Sequence, residues 1–371
     1  MKIVIAHASA GTGHLKAAEA LYRYLKDNYP AIEVKLIDIL EDSSPVFKFA
    51  YRRGYSLLVK YAPWLWSLAF RATSFKFLPQ VSKKINLIID RLNTIGFSKF
   101  LTQENPDVII STHFTPPQIA SYLKKTGRIK SRLVTVITDF GVHPFWISEG
   151  TDIYIAASEF TKRQLMAQGI SESAIRVLGI PIDPKFKRQY QKEELCRKLS
   201  LDKDRFTVLI ATGSFGIGPI EEIVDLLYQE AQLLVVCANN QELYRSLRAK
   251  NYPGVGVFGF IDNIQELMAV SEVIVGKPGG LTISEGLAMS LFPIFITAIP
   301  GQESENIKAL AQEGVGIYTS DTGRIKDIIL DFKTHPEKLI SIKENIKKMR
   351  RPDAAGEICN VVCQGSIRPA H

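Results

Sequence analysis

Cysteine is scarce in this 371-residue chain, and none of Cys196, Cys237, Cys359 and Cys363 forms a CxxC pair. Their spacing fits neither a disulfide framework nor a zinc site, so reduced thiols are expected. Long apolar runs are missing too. The longest, such as Tyr61 to Phe70, reaches only about half of the ~20 residues that a membrane-spanning helix requires. A secretory leader fits poorly: Lys2 precedes Ile3–Ala6 and Ala8-Ser9-Ala10 mimics a cleavage site, but the apolar core is too short and a Gly-rich turn follows at once. No Walker sequence is present, which argues against a P-loop ATPase, and no short-period repeat supports a solenoid. Nor is any cluster spaced as metal ligands would be.

What is present is ordinary globular composition, 46% hydrophobic and 23% charged, enough for two or three domains with their own cores. The net charge of +8 is unevenly placed. Residues 1–181 hold 23 Lys and Arg against 14 Asp and Glu, whereas residues 182–371 hold 23 against 24. Within the first half, residues 43–103 carry ten basic residues, one acid (Asp90) and twelve aromatics, Trp64, Trp66, Phe70 and Phe75 among them. A nucleic-acid module would show a recognisable motif, and none is visible. Apolar rings beside cations suit an interfacial helix on an anionic membrane surface, which is the expectation for this segment, although part of its apolar content must also pack on the first domain.

The chain opens as strand, turn and helix. Lys2–Ala8 is apolar, Gly11-Thr12-Gly13 breaks it, and apolar residues then recur at Leu15, Ala18, Tyr22 and Leu25. Strands are predicted at Val34–Ile39, Val108–Ser111, Leu133–Thr138 and Ile153–Ala156. After the Pro-rich stretch Gly179–Pro184, a linker, they recur at Phe206–Ala211, Leu233–Ala238, Gly256–Phe260, Val273–Val275 and Pro293–Thr297. Helical patterns such as Glu221–Gln229, Ile264–Ala269 and Thr282–Met289 separate the later ones. This alternation predicts an α/β chain of two Rossmann-like domains facing a cleft, with ligands at the carboxyl ends of the strands. The expected boundaries are 1–181, 182–352, and a C-terminal helix and tail over 353–371 that packs back on the first domain.

Three strand ends run into Gly-rich turns that open helices: Gly11-Thr12-Gly13-His14, Thr212–Gly218 and Gly276-Lys277-Pro278-Gly279-Gly280. Glycine permits close backbone approach, and free N–H groups at a helix start favour an anion. The two in the second half point to a shared diphosphate site. The dinucleotide fingerprint is incomplete, since Lys16 stands where the third Gly belongs, although Asp38 ends a second strand at about the right distance. An oxidoreductase is therefore the runner-up.

These residues, in this order, resemble the monogalactosyldiacylglycerol synthase and processive diacylglycerol glucosyltransferase family over nearly the whole chain. The likeness is carried by Gly11-Thr12-Gly13-His14 with Ala17-Ala18, by Pro106-Asp107 leading to Ser111-Thr112-His113, and by Thr138-Asp139 with His143 and Trp146. It continues at Gly259-Phe260, Gly276–Gly280, Glu285, and Pro300-Gly301-Gln302-Glu303 with Asn306. A more distant relative by these motifs is the N-acetylglucosaminyltransferase of the lipid-linked peptidoglycan precursor. The resemblance implies the glycosyltransferase-B fold and transfer of a sugar from a UDP-sugar to a lipid hydroxyl, diacylglycerol or a glycosyl-diacylglycerol, with inversion. It implies no cofactor or metal, and a cytoplasmic enzyme held on the inner face of the cell membrane. Phe260 would contact uracil and Glu285 the ribose; Gly213, Ser214, Gly279 and Gly280, with Thr282, would hold the diphosphate, and Gln302, Glu303 and Asn306 the sugar. Plant members carry an Asp where this chain has Ser9, which shifts the role of base to His14, with Asp139 as the competing candidate. Gly13, His113, His143 and Trp146 would shape the acceptor side. A UDP-sugar epimerase or hydrolase, and a non-catalytic nucleotide-sugar or lipid-binding protein, are the rival readings.

Overall fold

The computed structural model describes residues 1–9, 12–41, 43–44, 48, 94–213, 216, 218–298 and 301–364. The chain divides into two compact units. The first is Met1–Pro184 with Ile299–Glu305 and Asp353–His371; the second is Lys185–Ala298 with Asn306–Pro352.

The first unit is built on a six-stranded sheet: β1 (Lys2–His7), β2 (Glu33–Asp38), β3 (Val108–Ser111), β4 (Arg132–Val136), β5 (Ile153–Ala156) and β6 (Ile175–Val177). Their order is β2-β1-β3-β4-β5-β6, all parallel. Strands β3 and β5 are buried along their whole length, as expected when helices cover both faces of a parallel sheet. The covering helices are α1 (Thr12–Asn28), α2 (Ile95–Glu104), α3 (Thr115–Lys125) and α4 (Glu159–Ala167). Helix α1 buries Ala17, Ala18, Leu21 and Leu25 and carries Lys26 in its last turn, where a cation suits the negative end of the helix dipole. Phe97 and Leu101 of α2 enter the core beside Ile109 and Ile119, so this end of the basic aromatic segment is structural. The rest of that segment, apart from Ser43, Ser44 and Lys48, lies outside the described residues.

The second unit repeats the plan with β7 (Thr207–Ala211), β8 (Gln232–Val236), β9 (Val255–Phe258), β10 (Val273–Gly276), β11 (Phe292–Phe295) and β12 (Ile317–Tyr318). The order is β12-β11-β10-β7-β8-β9, again parallel throughout. Its helices are α5 (Lys192–Lys198), α6 (Ile220–Leu227), α7 (Gln241–Lys250), α8 (Ile264–Ala269), α9 (Gly280–Ala288), α10 (Gln302–Gln312, whose residues to Glu305 count with the first unit), α11 (Thr322–Thr334) and α12 (Pro336–Met349). Asn240 and Asp321 begin α7 and α11 by accepting from backbone N–H groups of the first turn.

The last helix, α13 (Ala354–Gln364), belongs to the first unit, where Ile358, Cys359 and Val362 share a core with Leu21 and Leu25 of α1. All four cysteines are free and buried. Burial raises the Cys237 thiol to about 11, so it stays protonated at neutral pH. Among the described residues, no helix is long and apolar enough to cross a membrane.

Candidate active site

In the first unit the expected residues gather at the carboxyl ends of β1, β3 and β4. His14 sits in the first turn of α1, half-buried. Its Nδ1 lies 2.8 Å from the Thr112 carbonyl oxygen and 2.8 Å from the Thr138 hydroxyl. The Thr112 hydroxyl donates back to the His14 carbonyl at 2.8 Å, so the first turn is tied to the end of β3. His113 meets the His14 ring edge-on with centroids 4.7 Å apart, and Trp146 lies at 6.2 Å. Trp146 is buried in the short turn Pro144–Trp146, which His143 opens by accepting from the Phe145 N–H.

Burial lowers the His14 imidazole below its ordinary value, against the Asp139 carboxylate and the Thr112 hydrogen bond, which raise it. His113 is pushed well below the ordinary value by burial, with His14 and His7 adding to the effect. Both rings are therefore neutral near pH 7, the state a general base requires. Asp139 is buried at the end of β4 and accepts from Gln302 Nε2 at 2.7 Å. Gln302 belongs to the first turn of α10, which counts with the first unit. Sequence reasoning placed these two on different substrates, and the structure joins them.

His7 was not singled out from the sequence, because a histidine inside an apolar strand reads as core. It is buried at the end of β1 with Nδ1 lacking a partner. Burial lowers it, while Asp38 opposes the shift. Asp38 itself accepts from the Ser9 N–H and hydroxyl and from the Leu40 N–H. Its oxygens tie the loop after β1 to the turn after β2.

In the second unit, β7 and β10 are neighbours, so their Gly-rich turns emerge side by side from one sheet edge. Gly213 has φ +82°, a conformation that favours glycine; Ser214 lies outside the described residues. A side chain at Gly276 would put Cβ 2.4 Å from the Ala211 carbonyl oxygen, so only glycine lets β10 lie this close to β7. Gly279 caps α9, and Gly280 and Thr282 lie in its first turn, where backbone N–H groups are unpaired within the helix and suit an anion. Glu285 falls in the second turn of α9 rather than at its start, since the helix begins two residues earlier than the apolar pattern indicated. It is thus beyond the first-turn positions where the helix dipole favours an acid.

Phe260, just after β9, is 73% exposed, an unusual setting for a large apolar ring and an available face for a base. Glu303 begins α10 beside Gln302 and is half-buried. Asn306 is fully buried and donates to the Pro278 carbonyl at 2.9 Å. It therefore braces the turn that leads into Gly279-Gly280. A cavity of roughly 730 Å³ in this unit is walled by Gly216 and Gly218 of the first Gly-rich turn, by Asn240, and by Glu221, Glu222 and Glu242.

Residues 14–182 match the monogalactosyldiacylglycerol (MGDG) synthase family, and residues 207–358 match the glycosyltransferase family 28 C-terminal domain. A processive diacylglycerol beta-glucosyltransferase of Staphylococcus aureus strain MRSA252 is 30% identical over 96% of this chain and 91% of its own length. Among solved structures, MurG of Acinetobacter baumannii is 14% identical with a TM-score of 0.58, covering 98% of this chain and 99% of that one. The UDP-GlcNAc 2-epimerase of Neisseria meningitidis, bound to UDP-GlcNAc, is 14% identical with a TM-score of 0.60, covering 98% and 100%. At such identities these two speak for the fold alone, which is the glycosyltransferase-B fold. The full-length likeness goes further, and the chain belongs to the family of monogalactosyldiacylglycerol synthases and processive diacylglycerol glucosyltransferases.

Proposed function

We propose that this protein is an inverting glycosyltransferase that moves glucose from UDP-glucose to the free hydroxyl of diacylglycerol or of a glycosyl-diacylglycerol, working from an anionic membrane surface on the cytoplasmic side. The observation that carries this reading is the likeness to a processive diacylglycerol beta-glucosyltransferase over 96% of the chain. The residue chemistry agrees with it. The α9 N-terminus and Gly213 would hold the diphosphate, and Lys277 adds a cation beside them, so that no metal ion is required. Glu285 would accept from the ribose hydroxyls, Phe260 would cover the uracil, and Gln302 and Glu303 would meet the sugar.

In the reaction the acceptor oxygen attacks the anomeric carbon while the bond to UDP breaks. The acceptor proton passes to His14, and the electron pair of the broken bond leaves on UDP. Asp139 assists by placing negative charge near the imidazole as it becomes a cation. Residues 43–103, with ten basic residues and one acid, would bring the enzyme to its lipid.

The test is a panel of UDP-glucose, UDP-galactose and UDP-N-acetylglucosamine with diacylglycerol vesicles, read by UDP release and lipid mass. UDP-glucose should give a product heavier by one hexose, then by two. Release of UDP without any glycolipid, or turnover with none of the three, would refute the proposal.

A further inference from the structure

The contacts of His14 call for a hydrogen on Nδ1. Its Nδ1 is 2.8 Å from the Thr112 carbonyl oxygen, and a carbonyl has lone pairs but no hydrogen to give. The proton in that contact must sit on Nδ1. Were Nδ1 bare, its lone pair would face the carbonyl oxygen in a buried setting, where repulsion is poorly screened. Thr138 completes the set. Its hydroxyl lies 2.8 Å from Nδ1 and 3.3 Å from the same Thr112 carbonyl. It therefore donates to the carbonyl and accepts from Nδ1–H. A neutral imidazole protonated on Nδ1 keeps its basic lone pair on Nε2. The neighbouring ring is arranged the other way: the Thr115 N–H donates to His113 Nδ1 at 3.2 Å, so in His113 the proton sits on Nε2.

We propose that Thr138 is a positioning residue, which together with the Thr112 carbonyl holds His14 as the Nδ1–H tautomer and makes Nε2 the nitrogen that takes the acceptor proton. This rests on the reading of His14 as the base. As the acceptor O–H bond breaks, the new N–H bond forms on Nε2. The oxygen bonds to the anomeric carbon, and UDP departs with the electron pair. The imidazolium then donates from Nδ1 as a charged group, which strengthens both contacts at the moment charge appears. Thr138 and Thr112 are both buried, so water does not compete for these positions.

The test uses the ¹⁵N-labelled full-length protein near neutral pH, with long-range proton–nitrogen correlation of the histidine rings, alongside single-turnover kinetics. His14 should show a protonated Nδ1 and a bare Nε2, and His113 the reverse. Thr138→Val keeps the volume and removes the hydroxyl. It should give mixed His14 tautomers and a single-turnover rate about fivefold to tenfold lower, with the UDP-glucose KM unchanged. Thr138→Ser should return the rate to within about twofold of wild type. If Thr138→Val does not fold, Thr138→Ala with a cooperative melt serves the same comparison. A wild-type His14 protonated on Nε2 would overturn the proposal, as would a folded hydroxyl-free variant with unchanged tautomer and rate. The underlying reading fails separately: an active His14→Ala alongside an Nδ1–H wild type removes the base and leaves the tautomer standing.

Discussion

The Nδ1 atom of His14 lies 2.8 Å from the carbonyl oxygen of Thr112, a residue 98 positions further along the chain. The first turn of α1 and the end of β3 are brought together because β1 and β3 are paired neighbours in the sheet. The Gly-rich turn delivers His14 over that pair of strand ends, and Thr112 takes the imidazole there. Parallel strands place all their carboxyl ends on one edge, so residues far apart in sequence become one site.

Acid should destabilise the fold through its buried histidines. His7, His14 and His113 all lie below the ordinary value of 6.5 in the folded protein. Below that value the unfolded chain binds protons that the folded chain does not, so stability is fully present above about 6.5 and is lost as pH falls through the window beneath it. Asp38, also held below its ordinary value, acts only in the carboxylate range, lower on the scale. Thermal midpoints measured from pH 7.5 to pH 5 should therefore fall, and His113→Asn should flatten the slope. Equal slopes in wild type and variant would contradict the burial assigned to His113.

Much of this architecture was legible because parallel strands buried on both faces are continuous apolar runs. The eight inner strands are readable that way; the edge strands Glu33–Asp38 and Val255–Phe258, only partly buried, still carry enough apolar positions, such as Val34, Leu36, Val255 and Val257, to be read. The two that were not, Ile175–Val177 and Ile317–Tyr318, sit on sheet edges, are three and two residues long, and carry exposed Arg176 and Tyr318. A short edge strand has too few apolar positions to show a period. Glycine and proline marked the turns at Gly213 and Gly279, and with them the candidate site residues. The partners of those residues were hidden for a different reason. Ser9 and Asp38, Asp139 and Gln302, Asn306 and Pro278 meet only through tertiary structure, and nothing in their local sequence announces it.

Glu285→Ala should weaken UDP binding while leaving a cooperative melt. A partly buried carboxylate that accepts from ribose hydroxyls makes charge-assisted hydrogen bonds worth roughly 1.5–3 kcal/mol, or about a tenfold to hundredfold rise in Kd. Calorimetry with UDP measures it. An unchanged Kd would make Glu285 a structural residue of α9.

Gly276→Ala should damage the sheet beneath the diphosphate turns. Its Cβ would lie 2.4 Å from the Ala211 carbonyl oxygen, and backbone cannot swing aside as a side chain would. Overpacking of this kind costs about 1–3 kcal/mol. Denaturant titration should show that loss, with UDP affinity falling in the same variant because β7 and β10 carry both turns. Full stability in Gly276→Ala would contradict the register of this strand pair.

Reversing the charges of Lys48, Arg52, Arg53, Lys60 and Lys76 should reduce binding to anionic vesicles, and so should added salt. Each cation near an anionic leaflet contributes on the order of 1 kcal/mol, screened over about 10 Å at 0.1 M salt. Co-sedimentation with phosphatidylglycerol vesicles reads both effects. Binding insensitive to charge reversal and to salt would remove the membrane role from residues 43–103.

His14→Ala is the decisive substitution for the chemistry. A positioned general base contributes ~10²–10⁴-fold to rate, about 3–5 kcal/mol of barrier at 1.36 kcal/mol per tenfold. The variant should lose turnover by that order and keep its UDP affinity, since the diphosphate turns belong to the other unit. Wild-type kcat/KM should show an acid limb with a midpoint below 6.5, because burial lowers the His14 imidazole and the base is lost when it is protonated. Asp139→Asn removes the charge that raises His14, so the limb should move further toward acid, with a smaller loss of rate than in His14→Ala. The double variant should be no slower than His14→Ala alone if the carboxylate acts through the imidazole. If His14→Ala keeps more than about a tenth of the wild-type single-turnover rate while Asp139→Asn falls further, the base is Asp139, and the imidazole only orders the turn.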